Sequence, residues 1–223
     1  MDVVIAGGHG KIALRLATQL AGQGHAVVSL VRNPEHADEV TATGARAVVA
    51  DLETISIAEL AEHLDGSDAV VFAAGAGPDS GAERKDTVDR AGATLLADAA
   101  TKAGVRRYLL VSATGVDSEP DPGRGEVWAA YIAAKKAAED AIRADPNLDA
   151  TILRPGRLTD DPGTGKVLLA PPPVGSGDNT ITRDDTAAVL ANLLESPGTT
   201  GTTLELRGGK QPVVEAVAAQ SHG

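Results

Sequence analysis

Residues 1–34 read MDVVIAGGHGKIALRLATQLAGQGHAVVSLVRNP, and this stretch decides the fold. A short apolar run at 3–6 is followed by glycines at positions 7, 8 and 10, then by apolar residues at helical spacing, then by a second apolar run at 26–31. Short apolar runs rich in β-branched residues predict buried strands, and the spacing between them predicts a helix. The stretch therefore predicts a strand–helix–strand unit with a glycine-rich first turn.

The same alternation continues along the chain. Strands are predicted at 3–6, 26–31, 45–50, 69–73, 108–112, 150–153 and 202–206, and helices at 11–23, 36–43, 56–64, 83–103, 128–144 and 183–194. Alternating strands and helices predict a mostly parallel sheet, because parallel neighbours need a crossover connection. We expect an α/β, doubly wound sheet of about seven strands with helices on both faces, in a single domain over residues 1–223.

One segment breaks this alternation. Residues 154–180, RPGRLTDDPGTGKVLLAPPPVGSGDNT, are rich in proline and glycine and predict an irregular loop region, with a candidate short strand at 166–170. Loops of this length are usually functional. We therefore expect this C-terminal excursion to lie on the substrate side of the site.

The composition limits the partners of the chain. A formal net charge of −11 and a pI near 4.8 disfavour nucleic acid and anionic membranes. No apolar run approaches the ~20 residues that a bilayer crossing needs, the first strand starts too early for a signal peptide, and the absence of cysteine fits a reducing compartment. The histidines are dispersed, so no metal site is expected. We expect a cytoplasmic protein with a small-molecule substrate; a homo-oligomer is compatible with the sequence.

The glycine-rich turn predicts a nucleotide site. The pattern Gly7-x-x-Gly10-x-x-Ala13 opens a helix directly after a strand. Glycine there permits a tight turn and a close approach of backbone N–H groups to a pyrophosphate, and the helix N-terminus adds positive partial charge. The residues expected at the phosphates are Gly7, Gly8, His9, Gly10, Lys11 and Ile12.

The end of the second strand indicates which nucleotide is bound. NAD-binding sites commonly place an acidic residue about 20 residues after the glycines, whereas this chain has Arg32, followed by Asn33. A guanidinium matches the 2′-phosphate of NADP, and we expect no carboxylate beside it to repel that phosphate. We therefore expect NADP(H) to be preferred over NAD(H).

Two further strand ends are expected to face the same cofactor, because ligands of open α/β sheets bind beyond the carboxyl ends of the strands. Asp51, followed by Leu52, ends the third strand; its carboxylate could bond the adenine amino group or could instead cap the next helix. Ala73, Ala74 and Gly75 end the fourth strand, where small residues leave room for ribose and phosphates.

A tyrosine and a lysine form the candidate catalytic pair. Tyr131 and Lys135 are four residues apart on a predicted helix and therefore share one face. An ammonium near a phenol favours the phenolate, so we expect a lowered pKa for Tyr131.

Together these motifs resemble the short-chain dehydrogenase/reductase superfamily. The segments GGHGKIA, LVRNP, ADL, FAAGAG, VSATGVD, YIAAK, ILRPGRLTDDPGTG and ITRDDTAAVL look like its atypical NAD(P)H-binding branch, which includes NAD-dependent epimerase-like, biliverdin/flavin reductase-like and nitrogen-regulator-like proteins. The resemblance spans nearly the whole chain. It implies a Rossmann-like fold and a nicotinamide cofactor.

The resemblance also implies roles for individual residues. Tyr131 is the proton donor or acceptor, and Lys135 binds the nicotinamide ribose and tunes the tyrosine. The serine that polarises the substrate carbonyl falls on Ser112 or on Thr114, since Ala113 occupies the position between them. Pro155 belongs to the turn that passes under the nicotinamide.

Three functions are open at this point. The first is an NADPH-dependent reductase of a small carbonyl, quinone or flavin-like acceptor. The second is a non-catalytic NADP(H)-binding redox sensor, because the Ser/Thr position departs from the superfamily pattern and atypical members often lack a working tyrosine. The third is a nucleotide-sugar epimerase, against which the small size of the 154–180 region argues.

Overall fold

The computed structural model describes residues 1–77, 80–175 and 177–221. The strands are β1 (Asp2–Ala6), β2 (Ala26–Val31), β3 (Arg46–Val49), β4 (Ala69–Phe72), β5 (Arg107–Val111), β6 (Asp149–Pro155), β7 (Arg157–Thr159), β8 (Lys166–Ala170), β9 (Thr180–Thr182), β10 (Thr203–Gly208) and β11 (Gln211–Pro212). The helices are α1 (Lys11–Gly22), α2 (Ala37–Thr41), α3 (Ile57–Leu64), α4 (Ala82–Arg84), which continues through a π-helical stretch (Lys85–Ala91) into α5 (Gly92–Ala103), α6 (Glu126–Ala144), α7 (Arg183–Leu194) and α8 (Val213–Ala218). None of the helices in these ranges is long and apolar enough to span a bilayer.

Nine of the described strands form one sheet in the order β11-β8-β10-β6-β5-β4-β1-β2-β3. All neighbours from β10 to β3 are parallel, while β8 is antiparallel to β10 and to β11. The order β3-β2-β1-β4-β5-β6 is that of a doubly wound Rossmann sheet, in which the strand order reverses between β1 and β4. The predicted fold class is confirmed, and the reversal opens a crevice at the carboxyl ends of these strands.

The two faces of the sheet are covered by different helices. On β1, Val3 and Ile5 join a core cluster with residues of α1, α7 and α8, while Val4 and Ala6 join a second cluster with residues of α3, α5 and α6. Successive side chains of a strand point to opposite faces, so a strand covered on both faces is apolar throughout. This packing fixes the carboxyl ends of the strands, where the candidate site lies.

The structure has more strands than the sequence predicts. The candidate short strand at 166–170 is confirmed as β8, which joins the main sheet beside β10. Residues 154–180 are otherwise less irregular than expected, because β7 and β9 form a two-stranded parallel sheet. Strands of two or three residues carry too little periodicity to be read from a sequence rich in proline and glycine. Ser176 of the predicted loop region, and Pro78, Asp79, His222 and Gly223 of the predicted domain, lie outside the described residues.

Candidate functional site

The turn between β1 and α1 is packed so closely that glycine is required at two positions. Gly7 has a left-handed φ of +81°, and a Cβ built on it would lie 2.5 Å from the Cα of Ala74. A Cβ built on Gly8 would lie 2.5 Å from the Cβ of Ser29 on β2. Side chains are therefore excluded from the turn, which leaves a cradle of bare backbone that suits a phosphate.

The N-terminus of α1 is open to an anion. Gly10, the residue before the helix, offers no side-chain cap, and the first turn has no acidic residue. The first helical hydrogen bond runs from Leu14 N to Gly10 O at 2.9 Å, so the amides of Lys11 and Ile12 have no acceptor within the helix. The Ile12 side chain is buried in the core, so this residue can reach a ligand through its amide alone. Open amides and the helix dipole together favour a bound phosphate.

The side chain of Lys11 has a different partner. Its Nζ donates to Oδ2 of Asp160 at 2.7 Å, and Oδ1 of Asp160 lies 3.0 Å from Nη1 of Arg183. The hydrogen bond from Lys11 holds the pKa of Asp160 below its ordinary value. These contacts tie the segment after β7 to α1, so the Lys11 ammonium would have to leave Asp160 to reach a phosphate.

A cavity of about 290 Å³ lies beyond the carboxyl ends of β1 to β4. The structure brings together most of the predicted cofactor residues as its lining, namely Gly7, Gly8, His9, Gly10, Arg32, Asn33, Asp51, Leu52, Ala73, Ala74 and Gly75. This cavity is therefore the candidate site for the adenosine and diphosphate part of a dinucleotide.

The expectation that no carboxylate stands beside Arg32 is wrong. Arg32 Nη1 donates to Glu53 Oε2 at 3.3 Å, and Glu53 also accepts from Arg84 Nη2 at 2.7 Å and from Thr87 Oγ1 at 2.8 Å. The hydrogen bonds from Arg84 and Thr87, with a smaller contribution from Arg32, lower the pKa of Glu53, so this carboxylate is charged at neutral pH. Glu53 lies 21 residues after Arg32 and comes to it through the turn after β3, which no local sequence pattern indicates.

Asp51 shapes that turn. Its Oδ1 accepts from the backbone N of Glu53 at 3.0 Å. The alternative prediction of a helix N-cap at Asp51 is wrong, because α3 begins at Ile57 and is capped by Ser56 in a reciprocal capping box with Glu59. Asp51 thus stays a candidate for a contact with the adenine.

Two histidines form part of the rim of this smaller cavity. The rings of His9 and His36 are stacked with their centroids 3.6 Å apart, and Nε2 of His9 lies 2.7 Å from Oε2 of Glu39. Oδ1 of Asn33 accepts from the backbone N of Glu35 at 3.0 Å. The predicted residues His9 and Asn33 therefore fix the rim through contacts with the segment after β2.

A second and larger cavity, of about 860 Å³, lies beyond the carboxyl ends of β5 and β6. The predicted residues Ser112, Thr114, Tyr131 and Pro155 all line it. The Oγ of Ser112 is buried and has no hydrogen-bond partner in the described ranges, whereas Thr114 Oγ1 accepts from Asn179 Nδ2 at 3.1 Å. Because buried polar groups are normally bonded, the unpartnered Ser112 hydroxyl is the stronger candidate for a ligand contact, while Thr114 also keeps its own O–H to donate.

The Tyr131 phenol is half-buried and has two lysines near its ring. The Nζ atoms of Lys85 and Lys135 lie 5.5 Å and 5.9 Å from the ring centroid. Burial raises the pKa of Tyr131, the charge of Lys135 lowers it, and the charge of Asp89 raises it, with a net upward shift. The expected lowering of this pKa is therefore wrong, because burial and Asp89 together outweigh Lys135.

Lys135 is held in a buried ion pair that the sequence does not indicate. Its Nζ lies 3.2 Å from Oδ1 of Asp89 and donates to the carbonyl oxygen of Val111 at 3.0 Å. Oδ2 of Asp89 accepts from the backbone N of Ala76 at 3.1 Å. Lys85, also buried, donates to the carbonyl oxygen of Gly77 at 2.5 Å. Asp89 and Lys85 both lie on the π-helical stretch, a feature that is frequent at functional sites.

The residue before Pro155 has a structural role. The guanidinium of Arg154 is buried, donates from Nε to Oε1 of Glu139 at 2.9 Å, and forms a bidentate pair with Asp117. Pro155 itself accepts from Thr114 N at 3.2 Å through its carbonyl oxygen. The turn after β6 is thereby fixed to α6 and to the segment after β5, with Pro155 facing the larger cavity.

The glycine cradle, the open end of α1 and the unpartnered Ser112 hydroxyl lie in this order along the same edge of the sheet, and this arrangement fits an elongated dinucleotide.

Residues 7–197 match the protein family described as NAD(P)H-binding. A Bacillus subtilis (strain 168) protein named "Uncharacterized sugar epimerase YhfK" is 34% identical over 218 residues, covering 97% of this chain and 99% of that protein.

Two solved structures are similar over nearly their whole length. A Bacillus halodurans protein provisionally named an NAD-dependent epimerase/dehydratase is 37% identical with a TM-score of 0.89, over 98% of this chain and 99% of that one. The oxidoreductase ylbE from Lactococcus lactis is 26% identical with a TM-score of 0.84, over 100% of this chain and 99% of that one.

Proposed function

The chain belongs to the NAD(P)H-binding family, in the atypical branch of the short-chain dehydrogenases/reductases, and on this premise we propose that it is an NADPH-dependent reductase of a small carbonyl, quinone or flavin-like acceptor. One observation carries the proposal. The glycine cradle with Arg32 and the larger cavity with Ser112 and Tyr131 lie along one edge of the same parallel sheet, so a dinucleotide in the first would end at the second.

The guanidinium groups of the smaller cavity support a preference for NADP(H). Arg32 and Arg84 both line it, together with two carboxylates: Glu53, which pairs with both guanidinium groups, and Asp51. The formal charges of these four groups balance, so the preference rests on the geometry of Arg32, whose guanidinium can bond a 2′-phosphate in a bidentate manner.

The side chains that line the larger cavity can assist the reduction. Bound NADPH supplies a hydride to the acceptor. Tyr131 donates the proton that the reduced acceptor needs, because its raised pKa keeps the phenol protonated at neutral pH. We assign Ser112, rather than Thr114, as the hydroxyl that bonds the acceptor oxygen, since its Oγ has no other partner in the described residues. The ion pair with Asp89 keeps the ammonium group of Lys135 close to the tyrosine.

The protonation state of Tyr131 favours a reductase over an epimerase. An epimerase that oxidises a sugar hydroxyl transiently needs a base, and a phenol whose pKa is raised by burial is almost entirely protonated at neutral pH, so little of its basic form is present. A non-catalytic NADP(H) sensor is the second candidate. It is favoured by the engagement of Lys135 with Asp89 and with the Val111 carbonyl oxygen, which leaves this lysine less free to contact a ribose.

The test is a screen of the purified protein with NADPH and with aldehydes, quinones and flavins, followed at the absorbance of the reduced nicotinamide. We expect turnover with at least one acceptor class and a loss of about 10²-fold to 10⁴-fold in kcat in Tyr131→Phe, the range for one general acid. The exposed Lys136→Met change on the same helix is the control. Tight NADPH binding with no turnover on any acceptor would favour the sensor instead.

A further inference from the structure

Three arginines line the larger cavity, and they come from three different elements. Arg207 lies on β10, alternating with the buried Leu204 and Leu206, and is itself partly buried. Arg157 lies on β7, and Arg124 lies in the turn before α6; both are exposed. Because the fold brings these residues together from distant parts of the chain, their proximity is not a consequence of local sequence.

None of these three arginines pairs with a carboxylate in the part of the chain that the structure describes. Exposed arginines elsewhere do so: Arg90 and Arg106 lie 2.5 Å and 3.0 Å from carboxylate oxygens. With a formal net charge of −11 the chain has an excess of acidic groups. Three guanidinium groups that face one cavity without such a partner therefore point to an anionic ligand.

The same cavity also has four acidic residues, so its lining as a whole carries no excess of positive charge, but none of the four lies within ion-pair distance of these arginines in the described residues. Asp121, Asp178 and Glu205 each accept a hydrogen bond from a backbone amide of a surrounding loop, at 2.8, 3.1 and 2.9 Å. The fourth, Glu119, is exposed. These carboxylates hold the loops around the cavity, and the guanidinium groups keep their donors for a ligand.

We propose that the larger cavity binds an acceptor that carries a carboxylate or a phosphate, with Arg207 as the principal contact and with Arg157 and Arg124 at the mouth. This inference deepens the proposed function and rests on it for the redox chemistry. A guanidinium in a partly enclosed site bonds a carboxylate or phosphate in a fork geometry, which a neutral acceptor cannot reproduce.

The position of Trp128 provides a direct reporter of this cavity. Trp128 is the one tryptophan of the sequence and lines the cavity. The guanidinium carbon of Arg124 lies 3.3 Å from the centroid of its ring, which is a close cation–π contact. An anion that engages Arg124 or its neighbours changes the surroundings of the indole, so binding can be followed by fluorescence without any turnover.

The binding experiment titrates benzoate, phenyl phosphate and the neutral benzamide into the protein with NADP⁺ present, and follows Trp128 fluorescence. We expect at least one anion to bind roughly tenfold or more tightly than benzamide, since charge-assisted hydrogen bonds are about twice as strong as neutral ones. Arg207→Gln should reduce that preference to about twofold or less. Arg46→Gln is the matched control, because Arg46 is exposed on β3 and lines neither described cavity. Comparison of the two anions tells a carboxylate site from a phosphate site.

The turnover experiment uses matched acceptors with NADPH: FMN against riboflavin, and 4-formylbenzoate against its methyl ester. We expect the anionic member of one pair to have the lower KM, and Arg207→Gln to raise that KM about tenfold with little change in kcat. Equal affinity for benzoate, phenyl phosphate and benzamide, or a preference that survives Arg207→Gln, would overturn the inference. Anion-selective quenching with no turnover on any acceptor would instead refute the proposed reductase and leave the ligand class standing.

Discussion

The ammonium of Lys135 lies 3.2 Å from a carboxylate oxygen of Asp89, and the two side chains are only 5% and 1% exposed. The pair joins α6 to the π-helical stretch directly beside the Tyr131 phenol. Its charges act on the pKa of Tyr131 in opposite directions. Asp89 thus stabilises this part of the fold and adds to the effect of burial, which is the main cause of the raised pKa of the candidate acid.

We predict that Asp89→Asn lowers the pKa of Tyr131 and destabilises the protein. Removal of the carboxylate takes away a charge that raises this pKa, and it leaves a buried ammonium without its ion-pair partner, which costs about 3–5 kcal/mol. The phenolate absorbance should appear at lower pH than in the wild type, and the alkaline limb of kcat should move in the same direction, because activity is lost as pH rises through the pKa of the acid.

The control for this change is Asp86→Asn, an exposed carboxylate on the same stretch that pairs with Arg90. It should leave the tyrosine titration unchanged and cost at most about 1 kcal/mol, as exposed ion pairs do. A titration of Tyr131 that is identical in Asp89→Asn and in the wild type would contradict the assigned electrostatic role.

Glu53→Gln should strengthen NADP⁺ binding about threefold to tenfold and leave NAD⁺ binding nearly unchanged. The substitution removes a negative charge next to the proposed position of the 2′-phosphate, and a like charge at such a site disfavours the phosphate. Calorimetric titration of both cofactors checks this, with the exposed Glu62→Gln on α3 as the control. Weaker NADP⁺ binding in Glu53→Gln would mean that the carboxylate positions Arg32 instead.

Gly8→Ala should destabilise the protein by about 1–3 kcal/mol, the usual cost of forcing extra atoms into a packed site, and should weaken cofactor binding. The new Cβ would lie 2.5 Å from the Cβ of Ser29, so the turn must shift. Gly22→Ala is the matched change within α1, where an added Cβ meets nothing within 4 Å. That variant should be neutral or more stable by about 0.5–1 kcal/mol. Thermal unfolding measures both, and equal behaviour would show that the cradle is not tightly packed.

The sequence predicts the fold class and most of the helices because strongly periodic apolar segments dominate them. The predicted helix at 183–194 coincides with α7, and the glycines at 7 and 8 are indeed required by packing. The pairing of β7 with β9 could not be predicted, because each strand has three residues and its partner is more than 20 residues away.

The part of the site that the sequence misses consists of contacts between distant segments. Asp89 sits in the interior of a predicted helix, and Glu53 sits in a turn; neither has a local pattern that distinguishes it from a solvated acidic residue. Only the folded chain brings Asp89 to Lys135 and Glu53 to Arg32. The upward shift of the Tyr131 pKa could not be predicted for the same reason, because burial and the proximity of Asp89 both arise only when distant segments pack together.

The central claim is that this chain uses NADPH and that Arg32 reads the 2′-phosphate. The most direct test is a calorimetric comparison of the Kd values for NADPH and NADH in the wild type and in Arg32→Ala. The account predicts that wild-type protein binds NADPH at least about tenfold more tightly, in line with the loss of one charge-assisted contact, and that Arg32→Ala removes most of this difference while the Kd for NADH changes little. Equal affinity for the two cofactors, or an undiminished NADPH preference in Arg32→Ala, would contradict it.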